Sequence, residues 1–234
     1  MNSTPPNRTA AARVGVAALI AGPVLFLFAE AITALAWRDP RYSYLYNWIS
    51  DLGVPEPGVF QGRTIDSPLA WVMNMGFVIG GLGIFIGMLV VATTLIGRIR
   101  ILTVTLGVIT AVGYTLVGLM HTSTEAAQNG TLVRHFTGAF LAILGGNILA
   151  VMLGWHWRKQ TRTRRLGSIV LAVGIIGLVA VVVLGFTAMS HTAPNGLIER
   201  TTVYTLLLSQ LCAAAYLLRP AQSRAASRNV SASI

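Results

Sequence analysis

The sequence predicts an all-α fold, a polytopic membrane helix bundle of six transmembrane helices with both termini inside and a long outer loop between helices 1 and 2. Three observations lead to this prediction. Of the 234 residues, 54% are hydrophobic and only 10% are charged, whereas a soluble domain carries roughly 25% charged residues. The hydrophobic residues form long runs. The basic residues concentrate in every second segment between these runs.

Six runs are long enough to cross the hydrocarbon core, which takes about 20 apolar residues. They are 14–37, 68–96, 101–121, 134–157, 166–190 and 200–219. The second run is long enough to tilt or to extend beyond the bilayer, and Ser67 and Pro68 would suit the cap and the first residue of its helix. Residues 1–13 and 220–234 are predicted to be disordered cytoplasmic tails on either side of this membrane domain, 14–219.

Basic residues predict the orientation, because cytoplasmic loops of membrane proteins are enriched in Lys and Arg. With the N-terminus inside, the inner segments carry twelve basic residues and no acid. These residues are Arg8, Arg13, Arg98, Arg100, Arg158, Lys159, Arg162, Arg164, Arg165, Arg219, Arg224 and Arg228. The outer segments carry five arginines against six acids. Both termini are therefore expected in the cytoplasm.

The expected partners follow from this charge distribution and from the apolar composition. The lipid bilayer is the first partner, and the basic inner face is expected to attract anionic lipid headgroups. The net charge of +10 could also suggest nucleic acid. No nucleic-acid recognition motif accompanies the charge, however, so nucleic acid is not an expected partner.

Small residues recur on single faces of the predicted helices, which indicates close helix packing. In span two the glycines fall at positions i, i+4, i+7 and i+11, and span four repeats the pattern with an alanine in the middle. The glycines concerned are Gly76, Gly80, Gly83 and Gly87 in span two, and Gly138 and Gly145 in span four. We expect a compact bundle without a wide aqueous channel.

Glu30 is the acid inside the first span, about 10 Å from its outer end at 1.5 Å per residue. It shares a helix face with Phe26 and Thr33, so it is expected to face the bundle. An acid inside the membrane is costly and is a functional candidate for that reason. The alternative is a structural acid that is protonated or is paired with Arg134 or Arg200 at neighbouring span ends.

A second candidate site is a polar cluster at the outer ends of the spans. Its members are Ser50, Asp51, His121, Glu125, Arg134, His135, His191, Glu199 and Arg200. Three histidines and a carboxylate, His121, His135, His191 and Asp51, could bind zinc and lower the pKa of a bound water to about 7. The histidines lack the close spacing of the H-E-x-x-H motif. Ser50 lacks the G-x-S-x-G context of a hydrolase nucleophile.

The outer loop between spans one and two contains the aromatic stretch YSYLYNWISDLG, residues 42–53. Tyr42, Tyr44, Tyr46 and Trp48 alternate along it, which favours an extended or short helical element at the level of the lipid headgroups. We expect this stretch to cover the outer ends of the bundle. Ser50 and Asp51 are expected to cap or end a turn before the glycine that follows.

Two other outer loops resemble each other weakly. The stretch MHTSTEAAQNGTLVRH follows span three and MSHTAPNGLIERT follows span five, and both contain His-Thr, Asn-Gly and Arg in that order. A duplication would relate two units of the same membrane orientation and would give Arg134 and Arg200 equivalent positions near the outer surface. Chance similarity is the alternative, because Asn-Gly is a common turn signal.

The run SYLYNWISDLG followed by SPLAWVMNMGFVIGGL resembles the bacterial six-span membrane family known as domain of unknown function 998. Asn74 in span two, His135 at the start of span four and the pair Glu199-Arg200 before span six also carry the resemblance. Span three ends here in Met-His-Thr-Ser, whereas the family often has a Phe-Pro-Thr-Asp-like end. The resemblance implies a six-span fold in the bacterial inner (plasma) membrane. It implies no particular activity.

Two functional interpretations remain open. The chain has no Walker motif and no dinucleotide-binding fingerprint. The first interpretation is a non-enzymatic accessory or assembly subunit of a larger membrane complex, with a role in lipid or hydrophobic-solute transport and without a cofactor. The second is an outer-facing, metal-dependent lipid hydrolase that uses the histidine cluster and zinc. The first is favoured because the sequence shows no catalytic motif.

Overall fold

The computed structural model describes residues 7–190 and 192–219. In these two segments the chain forms seven α-helices and a two-stranded hairpin. The elements are α1 (Asn7–Ala36), β1 (Gly58–Phe60), β2 (Arg63–Ile65), α2 (Ala70–Ala92), α3 (Arg98–Leu119), α4 (Thr124–Asn129), α5 (Thr131–Arg158), α6 (Arg164–Thr187) and α7 (Asn195–Leu217). Short 3₁₀ turns lie at Ser50–Gly53 and Thr161–Thr163.

Five of these helices, α1, α2, α3, α5 and α6, are long and apolar enough to cross a membrane. The architecture is therefore that of a polytopic membrane helix bundle. The helix α7 is long enough but is less apolar, because Arg200 and Gln210 interrupt its hydrophobic residues. Both side chains are buried against neighbouring helices, so α7 presents less of its polarity to the surroundings than its composition suggests.

The six long helices form a closed ring in chain order. Each of α1, α2, α3, α5 and α6 packs against the next long helix, and α7 packs back against α1. The helix α7 also contacts α2 and α5, so it lies nearest to the middle of the bundle. This position brings residues of α7 next to residues of α1 from the other end of the chain.

Several helix ends differ from the predicted spans. The helix α1 begins at Asn7 rather than at residue 14, so only residues 1–6 of the predicted N-terminal tail, together with the tail 220–234, lie outside the described residues. The helix α2 begins at Ala70, because the Ser67 hydroxyl donates to the Leu52 carbonyl oxygen at 2.6 Å instead of capping the helix. The helix α7 begins at Asn195 rather than at residue 200.

Glycines allow the backbones of neighbouring helices to approach closely. A Cβ added to Gly83 would lie 2.8 Å from the Ala18 carbonyl oxygen of α1, and one added to Gly138 would lie 2.6 Å from the Leu116 Cβ of α3. Gly76 and Gly87 also face α1, Gly145 faces α3, and Gly80 faces the Tyr114 ring of α3. These four glycines of α2 therefore lie against α1, and Gly80 lies against α3 as well.

Residues 38–67, within the connection from α1 to α2, fold into a compact cap over one end of the ring. Its apolar side chains join the core of the bundle. They are Ile49, Leu52, Val54, Phe60 and Ile65. Of the two shapes expected for the aromatic stretch, the short helical one is closer to the structure, because the chain turns at residues 44–46 and the Asn47 backbone N–H donates to the Ser43 carbonyl oxygen at 2.8 Å.

Candidate functional site

An acid and an arginine from the two ends of the chain pair inside the bundle beneath the cap. The Arg200 Nε of α7 donates to the Glu30 Oε1 of α1 at 2.9 Å. The Tyr204 hydroxyl donates to the other carboxylate oxygen, also at 2.9 Å. Glu30 is 1% exposed and Arg200 is 3% exposed. Of the two arginines considered as partners for Glu30, Arg200 makes the pair, whereas Arg134 is exposed at the start of α5.

The same guanidinium holds the cap. Its Nη1 donates to the carbonyl oxygens of Tyr44 and Asn47, both at 2.9 Å, and its Nη2 donates to the Tyr42 hydroxyl. The guanidinium carbon lies 4.6 Å from the centre of the Tyr44 ring, a cation–π contact. Because Arg carries five donors in a fixed plane, one side chain can bind α1 on one edge and the cap on the other. We call these residues the latch: Glu30, Tyr42, Tyr44, Asn47, Arg200 and Tyr204.

Further bonds hold the cap on the first turns of α7. The Glu199 carboxylate accepts a hydrogen bond from the backbone N–H of Ile49, and the Leu197 backbone N–H donates to the Leu45 carbonyl oxygen at 3.1 Å.

Within the cap, the Tyr42 hydroxyl donates to the Trp48 carbonyl oxygen at 2.7 Å. Burial raises the pKa of the Tyr42 hydroxyl well above its usual range, so it stays protonated and can make this bond.

Asp51 lies in a second ion pair, within the cap itself. The Arg63 Nε donates to Asp51 Oδ2 at 2.9 Å and Nη2 donates to Oδ1 at 3.1 Å. Asp51 Oδ2 also accepts the Trp48 amide at 2.9 Å, which ties the turn that begins at Ser50 to the preceding residues. Asp51 is fully buried, and its contacts are those of a residue that stabilises a turn.

The histidines of the predicted metal cluster have other partners or lie outside the described residues. The His135 Nδ1 donates to the Met120 carbonyl oxygen at 2.6 Å. The Asn74 amide nitrogen lies 3.3 Å from the His121 Nε2 and donates to the Gly53 carbonyl oxygen at 2.9 Å. His191 is not among the described residues. Within residues 7–190 and 192–219, no three His, Cys, Asp or Glu side chains come close enough to share a metal ion.

Glu125 and the duplicated loop motif also have different surroundings from those expected. Glu125 is exposed in the first turn of α4. Gly130 adopts a left-handed backbone conformation, with φ of 79°, between α4 and α5, whereas Asn195 and its neighbouring glycine begin α7. Arg134 is exposed and Arg200 is buried. The two loops are therefore not structurally equivalent, and the residues that they share are explained by chance similarity rather than by duplication.

A pocket of about 320 Å³ lies between the cap and the turn from α6 to α7. On the cap side its wall includes Tyr46, Trp48 and Arg63, and on the other side it includes Met189 and Asn195. Asn195 is 4% exposed, and its Oδ1 has no hydrogen-bond partner among the described residues. We call this space the cap pocket. It combines aromatic faces, an apolar edge and a few polar atoms, which is the usual composition of a small-molecule site.

The sequence did not predict the contacts of Tyr204, Arg63 and Asn74. Tyr204 follows Arg200 by four residues, so it shares a helix face with it, and this spacing is a signal that could have been used. Arg63 and Asn74 gave no comparable signal for their contacts. Arg63 contacts Asp51 only because the hairpin β1–β2 turns back over the 3₁₀ turn. Asn74 donates to the Gly53 carbonyl oxygen only because the cap lies on α2.

Comparison with known proteins supports a family assignment over most of the chain. A family described as "Protein of unknown function (DUF998)" matches residues 20–216. No curated protein and no solved structure matches the chain. The matched range contains both sides of the latch and the whole cap. The chain therefore belongs to the DUF998 family of proteins of unknown function.

Proposed function

We propose that this protein spans the bacterial inner membrane six times, with both termini in the cytoplasm and the cap outside. The helix α7 serves as the sixth span, since its neighbours in the ring shield its polar side chains. The charge distribution supports this orientation: the connections at the end opposite the cap carry the basic residues, including Arg98, Arg158 and Arg219. Positive charge of this kind marks the cytoplasmic side.

We further propose that the protein is an accessory subunit of a larger membrane complex that handles lipids or hydrophobic solutes. The observation that carries this proposal is the cap pocket. Its volume, about 320 Å³, lies at the lower end of the range for ligand sites, about 300–1,000 Å³. In the proposed orientation its aromatic residues lie at the headgroup level, where Trp and Tyr are favoured.

The polar atoms of the cap pocket favour a particular kind of headgroup. Asp51 neutralises Arg63 through two hydrogen bonds, so this arginine offers little net charge to an anionic phosphate. The unpartnered Asn195 Oδ1 is an acceptor and needs a donor. A headgroup with hydroxyl or ammonium donors matches both features, and its acyl chains would leave past the exposed Met189.

The lipid proposal can be tested by mass spectrometry of lipids that co-purify with the full-length protein from native membranes. Ala193 lines the cap pocket, so Ala193→Trp should fill the space and remove the bound lipid. Val179→Trp adds the same side chain at an exposed position of α6 and should leave the lipid in place. Equal lipid content in wild type, Ala193→Trp and Val179→Trp would contradict a site in the cap pocket.

The accessory-subunit proposal needs a separate experiment. Gentle extraction from native membranes should recover the protein in an assembly larger than one chain, with the same partner proteins in repeated preparations. The Ala193→Trp variant should still recover these partners if the cap pocket binds only lipid. Recovery of the protein alone in several mild detergents would contradict the accessory role.

A further inference from the structure

A small cavity lies inside the bundle among α2, α5, α6 and α7, separate from the cap pocket. Its volume is about 20 Å³. Most of its wall is apolar, including Met88 of α2 and Leu206 of α7. Three of the lining residues, Trp157, Ser209 and Gln210, carry polar atoms. The cavity belongs to none of the networks beneath the cap.

Gln210 is the residue whose surroundings need an explanation. Its side chain is 2% exposed, and neither its amide nitrogen nor its amide oxygen has a hydrogen-bond partner among the described residues. Burial of an amide without partners costs free energy, and such groups are rare in proteins unless water or a ligand satisfies them. Its amide oxygen lies beside Gly22 of α1, since a Cβ added to Gly22 would lie 3.6 Å from this oxygen.

Trp157 contributes a second unpartnered group to the same cavity. Its side chain is fully buried, and its indole N–H has no acceptor among the described residues. The ring stacks on Tyr216 with 4.3 Å between the ring centres, so its orientation is fixed by packing. The Ser209 hydroxyl already donates to the Thr205 carbonyl oxygen at 2.8 Å, which leaves the Ser209 oxygen free to accept a bond.

We propose that this cavity is a binding site for one water molecule that joins Trp157 on α5 to Gln210 on α7. A cavity needs about 10–15 Å³ to hold a water, and the water needs two to four polar partners. The water would accept hydrogen bonds from the indole N–H and the Gln210 amide N–H, and it would donate to the Ser209 oxygen. No charged residue lines the cavity, which argues against an ion, and the volume excludes a larger molecule.

X-ray hydroxyl-radical footprinting of the full-length protein in detergent tests this proposal, since radicals generated from a bound water modify the side chains beside it. Met88 is 3% exposed and lines the cavity, whereas Met73 is fully buried and does not. We expect Met88 and Trp157 to be modified several-fold faster than Met73. Modification of all three at the same slow rate would overturn the proposal.

A variant provides the second measurement. Gln210→Met keeps an unbranched side chain of similar length and removes both polar atoms, so the water should lose a partner. Met88 and Trp157 should then be modified as slowly as Met73, and unchanged fast modification of Met88 would overturn the assignment. The comparison within the wild-type protein needs no substitution, so the proposal stays testable if the variant does not fold.

Discussion

Replacing Arg200 with methionine should destabilise the protein strongly, because this guanidinium is both the partner of Glu30 and the anchor of the cap. The substitution leaves a buried carboxylate without its cation, which costs about 3–5 kcal/mol. For a chain of 150–250 residues, each kcal/mol shifts the melting temperature by about 2–4 °C. We therefore expect Arg200→Met to melt about 6–20 °C below wild type when Trp fluorescence follows unfolding in detergent.

A double variant separates the ion pair from the cap contacts. Glu30→Gln alone leaves Arg200 its bonds to the carbonyl oxygens of Tyr44 and Asn47, so it should destabilise less than Arg200→Met. Glu30→Gln with Arg200→Met removes both charges and should cost less than the sum of the single variants. Additive shifts would refute the pairing argument.

Two further measurements complete this test. Arg134→Met removes an exposed arginine, and its effect should stay within about 0.5 kcal/mol. Arg200→Met should also release the cap, so limited trypsin digestion should cut after Arg41 or Arg63 several-fold faster than in wild type. An Arg200→Met protein with the melting temperature of Arg134→Met and with a protected cap would refute the role given to the latch.

Three other predictions concern helix packing, pH and metal. Gly83→Val should lower the free energy of unfolding by about 1–3 kcal/mol, because a Cβ there would overlap the backbone of α1. Gly185→Val should lower it far less, because an added Cβ at Gly185 meets no atom within 4 Å. Equal melting temperatures of the two variants would contradict the close crossing of α1 and α2. Burial raises the pKa of the Tyr42 hydroxyl, so the folded state prefers the protonated form and stability should fall as the pH rises above about 10, the usual tyrosine pKa. In melting curves recorded between about pH 9 and 11, on either side of that pKa, Tyr42→Phe should therefore lose less stability with rising pH than wild type. An unchanged slope would assign the loss of stability to other groups. Elemental analysis of the purified protein should find less than one zinc per chain, whereas one zinc that is lost in a His121→Ala, His135→Ala double variant would favour the hydrolase.

The latch shows how far sequence reasoning reaches. The face that Glu30 shares with Phe26 and Thr33 predicted that this acid points into the bundle, and it is buried there. The choice between Arg134 and Arg200 as its partner could not be made, because it depends on whether α1 lies beside α5 or beside α7. That choice is settled by closure of the helix ring, a contact between residues 170 positions apart.

The cap illustrates a different limit. The aromatic alternation of residues 42–48 marked the stretch as unusual, and the stretch does cover the end of the bundle. The choice between an extended and a short helical shape could not be made from this alternation, because carbonyl oxygens of the segment make contacts that hold its shape. The backbone carbonyl oxygens of Tyr44 and Asn47 each accept a hydrogen bond from Arg200. Because every residue type has a backbone carbonyl, no pattern of side chains predicts these contacts.

The sequence by itself determined the membrane bundle, the membership of the DUF998 family and the direction of Glu30, because hydrophobic length, helix face and short motifs are local properties that the chain carries along its length. Only the tertiary structure decided which arginine meets Glu30, how the cap attaches to α7 and where Trp157 and Gln210 share a cavity. These features depend on long-range packing: a hydrogen bond forms only where two groups meet within about 3 Å in a suitable direction. Distant segments reach that geometry only when the whole ring of helices has closed.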